Sequence, residues 1–202
     1  MSNEIGFRIA LFAVLAIFAA GWLANARAAG LSRSTFYAPA EGRVLALFLR
    51  LLLAASLGTS LVYVVAPQRA SWSSVDLPAW LRWDAVAASA PVLVLVFWIL
   101  RALGRNFSTS LAEPETLVTD GPYRFVRHPM YAAFLLLWTL LALIAANWFV
   151  AATGIGAFAV VLVVRTPREE RLLLSRFGDE YRSYMQHTGR IVPRLRSSSR
   201  RW

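Results

Sequence analysis

The chain has 202 residues, of which 58% are hydrophobic and 16% are charged. A soluble domain usually carries about 25% charged residues, so this composition predicts that water is not the main solvent of the protein. All 21 basic residues are arginine, and cysteine is absent. The sequence therefore excludes disulfides, thiolate nucleophiles, cysteine zinc sites and any cofactor bound as a lysine Schiff base.

The net charge of +10 has two explanations, nucleic-acid binding and membrane topology. The arginines cluster beside apolar runs, and no soluble nucleic-acid-binding module accompanies them. Arginines in such positions report topology and contact with anionic lipid headgroups. We therefore expect a lipid bilayer, and no nucleic acid, as the partner of this chain.

The apolar runs predict an all-α polytopic membrane protein with about five transmembrane helices, since one crossing needs about 20 mainly apolar residues. The first three runs are Ile5–Ala24, Val44–Ala66 and Ala85–Leu103. The first run could instead be a signal peptide, because Ala24-Asn25-Ala26 resembles a cleavage site. Glu4 offsets Arg8 and leaves a weak positive flank, so we favour a retained span.

Residues 131–164 form an apolar stretch of 34 residues, which is too long for one ordinary span. Asn147-Trp148 interrupts the stretch. We therefore predict a helical hairpin made of Tyr131–Ala146 and Trp148–Val164, with a first helix that is short for a full crossing.

Arginine counts predict the orientation of these spans. Seventeen arginines follow span one, span three or the hairpin, whereas only Arg69 and Arg82 fall in the loop between spans two and three. The C-terminus is therefore expected in the cytoplasm and the N-terminus outside, in the plasma or inner membrane if the source is bacterial. Arg50 lies inside an apolar run, either as a functional charge or as a side chain that snorkels to the headgroups.

Residues 121–131 read Gly-Pro-Tyr-Arg-Phe-Val-Arg-His-Pro-Met-Tyr, a turn and a basic strip that open a membrane helix. Pro129 suits the first helical turn. The free N–H groups of that turn, with Arg124 and Arg127 beside them, would attract a carboxylate or phosphate. The strip would also suit a plain membrane anchor. His128 has no partner at metal-ligand spacing, so we predict no metal site.

The segment after the hairpin combines charged and aromatic residues. Arg165 and Glu169 are four apart and share a helix face, and Glu169-Glu170 is an adjacent acidic pair that would also suit a solvated helix start. The spacing of Leu173, Phe177, Tyr181 and Tyr184 predicts a cytoplasmic amphipathic helix with an aromatic stripe. It would lie on the membrane or fold back over a pocket, with a bend at Gly178.

Several of these features resemble the isoprenylcysteine carboxyl methyltransferase family and its phospholipid N-methyltransferase relatives. The similar features, in chain order, are Leu117-Val118-Thr119-x-Gly121-Pro122-Tyr123, Arg127-His128-Pro129-x-Tyr131, the hairpin, Glu169-Glu170 and Phe177-Gly178-x-x-Tyr181-x-x-Tyr184. They cover roughly the C-terminal half. Two regions follow: three N-terminal spans over residues 1–103, and a catalytic region over residues 104–202 that contains the hairpin 131–164.

The resemblance implies an S-adenosylmethionine-dependent methyltransferase whose active site faces the cytoplasm. The residues that it implies for the cofactor are Glu115, Thr116, Leu117, Val118, Tyr123, His128, Pro129, Met130, Tyr131 and Glu169. Arg165 matches an arginine that touches the methyl acceptor. Glu115 and Thr116 depart from the family pattern, because some relatives have an aromatic residue and a histidine there.

The implied acceptor is lipid-like or partitions into the membrane. A carboxylate is ionised at neutral pH and needs only to be held, for which Arg165 is suited, whereas an amine needs a base, for which His128 and Glu170 are the candidates. We favour a carboxylate or thiol acceptor over a phospholipid amine. The sequence is also compatible with an NADPH-dependent membrane reductase or a non-enzymatic membrane protein, and it predicts no oligomeric state.

Overall fold

The computed structural model of the protein describes residues 2–28, 42–106 and 116–194. They contain six α-helices. Their bounds are α1, Ser2–Ala28; α2, Arg43–Val65; α3, Ala79–Leu103; α4, Pro129–Ala145; α5, Trp148–Val160; and α6, Thr166–His187. One turn of π-helix, Val161–Arg165, joins α5 to α6, so residues 148–177 form one continuous helical rod, and α6 is kinked at Gly178.

Four helices are long and apolar enough to cross a membrane: α1, α2, α3 and the rod that starts at Trp148. α4 is apolar but has only 17 residues. The outer faces of the long helices carry large exposed apolar side chains, such as Ile9, Val44 and Val94, which suit contact with lipid. The prediction of an all-α polytopic integral membrane protein is confirmed. The apolar part of the rod ends at Val164, and α6 is rich in charged residues beyond it.

α4 is the central helix of the bundle and packs against α3 and α5, while α1 packs on α3 and α2 on α5. Side chains around most of the circumference of α4 are buried, among them Leu137, Leu141 and Ile144. The core around α4 includes residues from α1 and α3 as well.

The predicted break at Asn147 is present and ends α4. Ala146 adopts a left-handed conformation with φ 47°, and the Asn147 side chain caps α5 by accepting hydrogen bonds from the amides of Phe149 and Val150. Asn147 Nδ2 also donates to Ser73 Oγ at 2.7 Å. The hairpin tip is thereby fastened to the 3-10 turn Pro67–Ser73, which satisfies buried polar groups that lipid could not satisfy.

The predicted position of Arg82 in a loop is wrong. The sequence places it in the loop between spans two and three, but the structure places it inside α3, where it is buried. Its guanidinium donates to Ile144 O, to Tyr63 Oη and to Glu4, whose carboxylate lies 2.5 Å away. Glu4 therefore pairs with Arg82 rather than offsetting Arg8, which donates to Val64 O.

The contact between α4 and α5 requires a glycine at one position. A Cβ atom on Gly154 would lie 1.8 Å from Cδ1 of Trp138, whereas a Cβ atom on Gly156, in the same helix, would meet nothing within 4 Å. We expect Gly154→Ala to lower the free energy of unfolding by about 1–3 kcal/mol because the contact becomes overpacked.

Gly156→Ala is the matched control and should be neutral or slightly stabilising, since alanine favours the helix. Thermal unfolding of both variants in detergent micelles measures the difference. Equal melting temperatures would contradict the packing assigned to Gly154.

Candidate active site

A cavity lies where α3 ends and α4 begins, and α6 forms its outer wall. The side chains that line it come from α3 and the turn after it, from residues 116–131, and from residues 165–184. They are Leu103, Asn106, Thr116, Leu117, Val118, Tyr123, Arg127, His128, Met130, Tyr131, Arg165, Glu169, Leu172, Leu173, Tyr181 and Tyr184. The cavity therefore combines an apolar wall with two arginines, one carboxylate and four tyrosines.

The N-terminus of α4 forms the floor of this cavity. A 3-10 turn over Gly121–Arg124 precedes the helix, and Gly121 makes it possible by adopting a φ of 59° that other residues rarely adopt. Pro129 then opens α4 at its first position, as predicted. His128 is buried at the N-cap, and its ring stacks on Tyr131 with the centroids 5.7 Å apart.

Glu169 is the carboxylate that lines the cavity. Tyr131 Oη donates to Glu169 Oε2 at 2.7 Å, and His128 Nδ1 lies 3.7 Å from the same oxygen. The Glu169 side chain remains 32% exposed, so part of the carboxylate is open to the cavity. This arrangement can accept hydrogen bonds from a cationic or hydroxyl-bearing ligand.

Arg165 lies at the end of the π-helical turn. Its side chain is buried, lines the cavity, and has its guanidinium carbon 5.9 Å from the centroid of the Tyr131 ring. In the π-helical turn that ends at Arg165, each backbone hydrogen bond spans five residues instead of four. Arg165 and Glu169 are four residues apart, so their side chains lie on the same face of the helix. Both charges therefore line the same cavity from one side.

Glu170 occupies a different position from its neighbour. It does not line the cavity but is buried behind the wall, where Arg127 Nε donates to its Oε1 at 3.0 Å. Arg190 donates to both of its oxygens, and His128 Nε2 lies 3.3 Å from Oε1. Burial alone raises the pKa of Glu170, but hydrogen bonds from His128, Arg190 and Arg127 outweigh it and hold the pKa at about 2.

The chain after α6 returns to the start of α4 and is fastened there. The amide of Arg127 donates to Gly189 O at 2.8 Å, and the amide of His128 donates to Arg190 O at 3.0 Å. The Arg127 guanidinium also donates to the carbonyls of Met185 and Thr188. Residues 188–190 therefore form a strap that holds the end of α6 against the start of α4.

The predicted bend at Gly178 is present and orients the end of α6. Gly178 has a φ of 50° and interrupts the helical conformation. The segment beyond it brings Tyr181 and Tyr184 to the cavity wall, where Tyr184 Oη donates to Tyr123 O at 2.5 Å. Of the two arrangements predicted for the amphipathic helix, the structure therefore has the one that folds back over a pocket.

The structure brings most of the predicted site residues together around the cavity. Those that line it are Thr116, Leu117, Val118, Tyr123, His128, Met130, Tyr131, Arg165 and Glu169. Pro129 is buried beside it and Glu170 lies behind it, while Glu115 falls outside the described residues. Tyr181 and Tyr184 also line the cavity but were not predicted as site residues. The aromatic stripe of α6 is the sequence pattern that indicates them.

Part of the chain is similar to known proteins. The model of the isoprenylcysteine carboxyl methyltransferase family matches residues 87–175, which include the end of α3, the start of α4, the hairpin, Arg165 and the acidic pair. A methanethiol S-methyltransferase of Pseudomonas deceptionensis is 33% identical over 146 residues, which cover 62% of this chain and 53% of that protein.

Two further relatives are similar over about half of the chain. Protein-S-isoprenylcysteine O-methyltransferase of Schizosaccharomyces pombe is 35% identical over 45% of this chain and 40% of its own length. The cobalt-zinc-cadmium resistance protein CzcN of Cupriavidus metallidurans is 36% identical over 56% of this chain and 55% of its own length. The matches span little more than half of these relatives at most. Residues 87–175, less than half of the chain, are therefore similar to the isoprenylcysteine carboxyl methyltransferase family.

Proposed function

We propose that this chain is an integral membrane methyltransferase that takes its methyl group from S-adenosylmethionine and passes it to a lipid-like or membrane-partitioned acceptor. The observation that carries the proposal is one cavity that joins an open carboxylate, Glu169, to the basic N-terminus of a membrane helix. The family match and the methyltransferases among the relatives support it.

The donor set of the cavity fits S-adenosylmethionine. That molecule carries a carboxylate, which suits the positive end of the α4 helix dipole together with Arg127. It also carries an ammonium group and ribose hydroxyls, which suit the open oxygen of Glu169. Leu172 and Leu173 supply apolar wall, as a largely buried small-molecule site requires.

When bound, S-adenosylmethionine supplies a methyl group on an already activated sulfonium. The chain then has to orient the acceptor in line and exclude water, and it needs no dedicated acid. α6 covers the cavity with Leu172, Leu173, Tyr181 and Tyr184. These apolar and aromatic side chains would keep water from the reacting groups.

Arg165 is proposed to hold the acceptor, because its buried guanidinium suits a carboxylate or thiolate. The alternative acceptor, a phospholipid amine, must lose a proton to a base. His128 has carboxylates near both ring nitrogens, and Glu170 is paired with two arginines behind the wall. Neither group is well placed to accept a proton from an acceptor, which favours the anionic one.

The active site is proposed to face the cytoplasm. The cavity lies at the end of the bundle where α3 ends and α4 begins, and the arginines of the chain concentrate there: Arg101, Arg124 and Arg127 and those of α6. The positive-inside rule assigns that end to the cytoplasm.

We further propose that Glu170 positions Arg127 and His128 rather than acting as a base. A carboxylate with a pKa of about 2 is ionised at neutral pH but has little affinity for a proton. Its buried charge instead fixes two side chains of the cavity wall through hydrogen bonds.

The first test concerns Glu169 and the cofactor. Glu169→Gln removes one negative charge from the cavity and should weaken the binding of S-adenosylhomocysteine at least about tenfold, since a charge-assisted contact is lost. Calorimetric titration of the detergent-purified protein measures the affinity, with Glu180→Gln, an exposed site on the same helix, as control. NADPH binding without S-adenosylhomocysteine binding would favour a reductase; no binding of either by folded protein would favour a non-enzymatic protein.

The second test separates acceptor binding from cofactor binding. Arg165→Ala should leave the affinity for S-adenosylhomocysteine within about twofold and reduce methyl transfer to a thiol or carboxylate acceptor by at least about tenfold. Arg171→Ala, an exposed site on α6, is the control. Equal losses of affinity and transfer would contradict the assignment of Arg165 to the acceptor.

The third test measures how the contribution of Glu170 to stability depends on pH. The pKa of Glu170 is lowered from 4.5 to about 2 in the folded protein, so its ionised form stabilises the fold above pH 4.5, and this stabilisation is lost as the pH falls toward 2. Glu170→Gln should be less stable at pH 7 and lose less stability than the wild type between pH 4.5 and 2. Thermal unfolding across this range measures it, and an unchanged pH dependence would contradict the role of Glu170.

A further inference from the structure

Tyr181 carries a buried hydroxyl that the described residues do not satisfy. Its side chain is 1% exposed, and its Oη has no hydrogen-bond partner among the residues that the structure describes. A tyrosine hydroxyl in a protein interior normally finds a partner, because an unsatisfied polar group is costly to bury. Phenylalanine would fill the same space without that cost, so packing alone does not explain why this position carries a hydroxyl.

The other phenols around Tyr181 behave differently. Tyr131 Oη donates to Glu169, and Tyr184 Oη donates to Tyr123 O. Tyr184 packs against Tyr181 with ring centroids 5.9 Å apart, so the two side chains share one patch of the cavity wall. Only one of the pair has its hydroxyl satisfied by the described part of the chain.

The position of Tyr181 follows from the bend at Gly178. The positive φ at Gly178 redirects the last turns of α6, and Tyr181 then contributes to the lining of the cavity that holds Glu169 and Arg127. Burial, with smaller contributions from the Glu170 and Glu169 charges, raises the pKa of Tyr181. The phenol therefore keeps its proton at neutral pH and can both donate and accept a hydrogen bond.

We infer that Tyr181 is a ligand-binding residue whose hydroxyl forms a hydrogen bond with a polar group of the nucleoside sulfonium cofactor. The inference rests on the proposed function, and it adds a residue that the resemblance does not assign. Tyr181 and Glu169 line one cavity, so a ligand that reaches the carboxylate would have polar groups within the same wall.

The test is Tyr181→Phe, which removes one oxygen atom and keeps the ring. In the ligand-free protein the variant should melt at the same temperature as the wild type or higher, because it deletes an unsatisfied buried hydroxyl. Its affinity for S-adenosylhomocysteine should fall about five- to tenfold, as expected for one lost hydrogen bond. Calorimetric titration and thermal unfolding without ligand give the two quantities.

Tyr184→Phe is the matched comparison, since its hydroxyl already has a protein partner. It should melt at a lower temperature than the wild type because the Tyr123 carbonyl loses a donor. Opposite shifts in stability for the two variants, with the loss of affinity in Tyr181→Phe, would support the inference. Unchanged affinity in Tyr181→Phe would overturn it and make Tyr181 a wall residue only.

Two ligands distinguish the possible failures. If wild-type protein does not bind S-adenosylhomocysteine, the proposed function fails; if it binds and Tyr181→Phe binds equally well, only this inference fails. Methylthioadenosine lacks the amino-acid portion of the ligand. An affinity loss that persists with methylthioadenosine assigns the contact to the nucleoside, and a loss confined to S-adenosylhomocysteine assigns it to the amino-acid portion.

Discussion

The buried carboxylate of Glu170 holds together the start of α4, α6 and the strap that follows α6. A charge removed from water must be compensated by partners within the protein, and here the partners come from positions far apart in the chain: Arg127 and His128 at the start of α4, and Arg190 after α6. The same junction includes two backbone hydrogen bonds to residues 189 and 190. The start of α4, α6 and the strap are therefore one assembly, and the cavity wall depends on it.

The opposite end of α4 is fastened by a second set of buried polar groups. Arg82 donates to the carbonyl of Ile144 in the last turn of the helix, where a cation is favoured by the helix dipole. Asn147 ties the hairpin tip to the turn over residues 67–73. The 17-residue helix α4 is therefore held by polar contacts at both ends and is mostly buried, and its N-terminus lies at the cavity.

Neighbouring acids on α6 have different surroundings because successive residues of a helix point about 100° apart. Glu169 faces the cavity, keeps part of its carboxylate open and accepts a hydrogen bond from a tyrosine. Glu170 points to the strap and is enclosed by cations. This contrast supports a ligand-binding role for Glu169 and a positioning role for Glu170 in the proposed methyltransferase.

The sequence by itself determined the membrane character, the hairpin with its break at Asn147, the start of α4 at Pro129 and the bend at Gly178. These features depend on local composition and on the backbone preferences of single residues. Tertiary structure decided the burial of Arg82, the separation of Glu169 from Glu170 and the presence of Tyr181 in the cavity wall. Each of these depends on which distant segment packs against the residue. A pattern of residue types carries the periodicity of a helix, but it does not specify the partner that a buried charge or hydroxyl will meet.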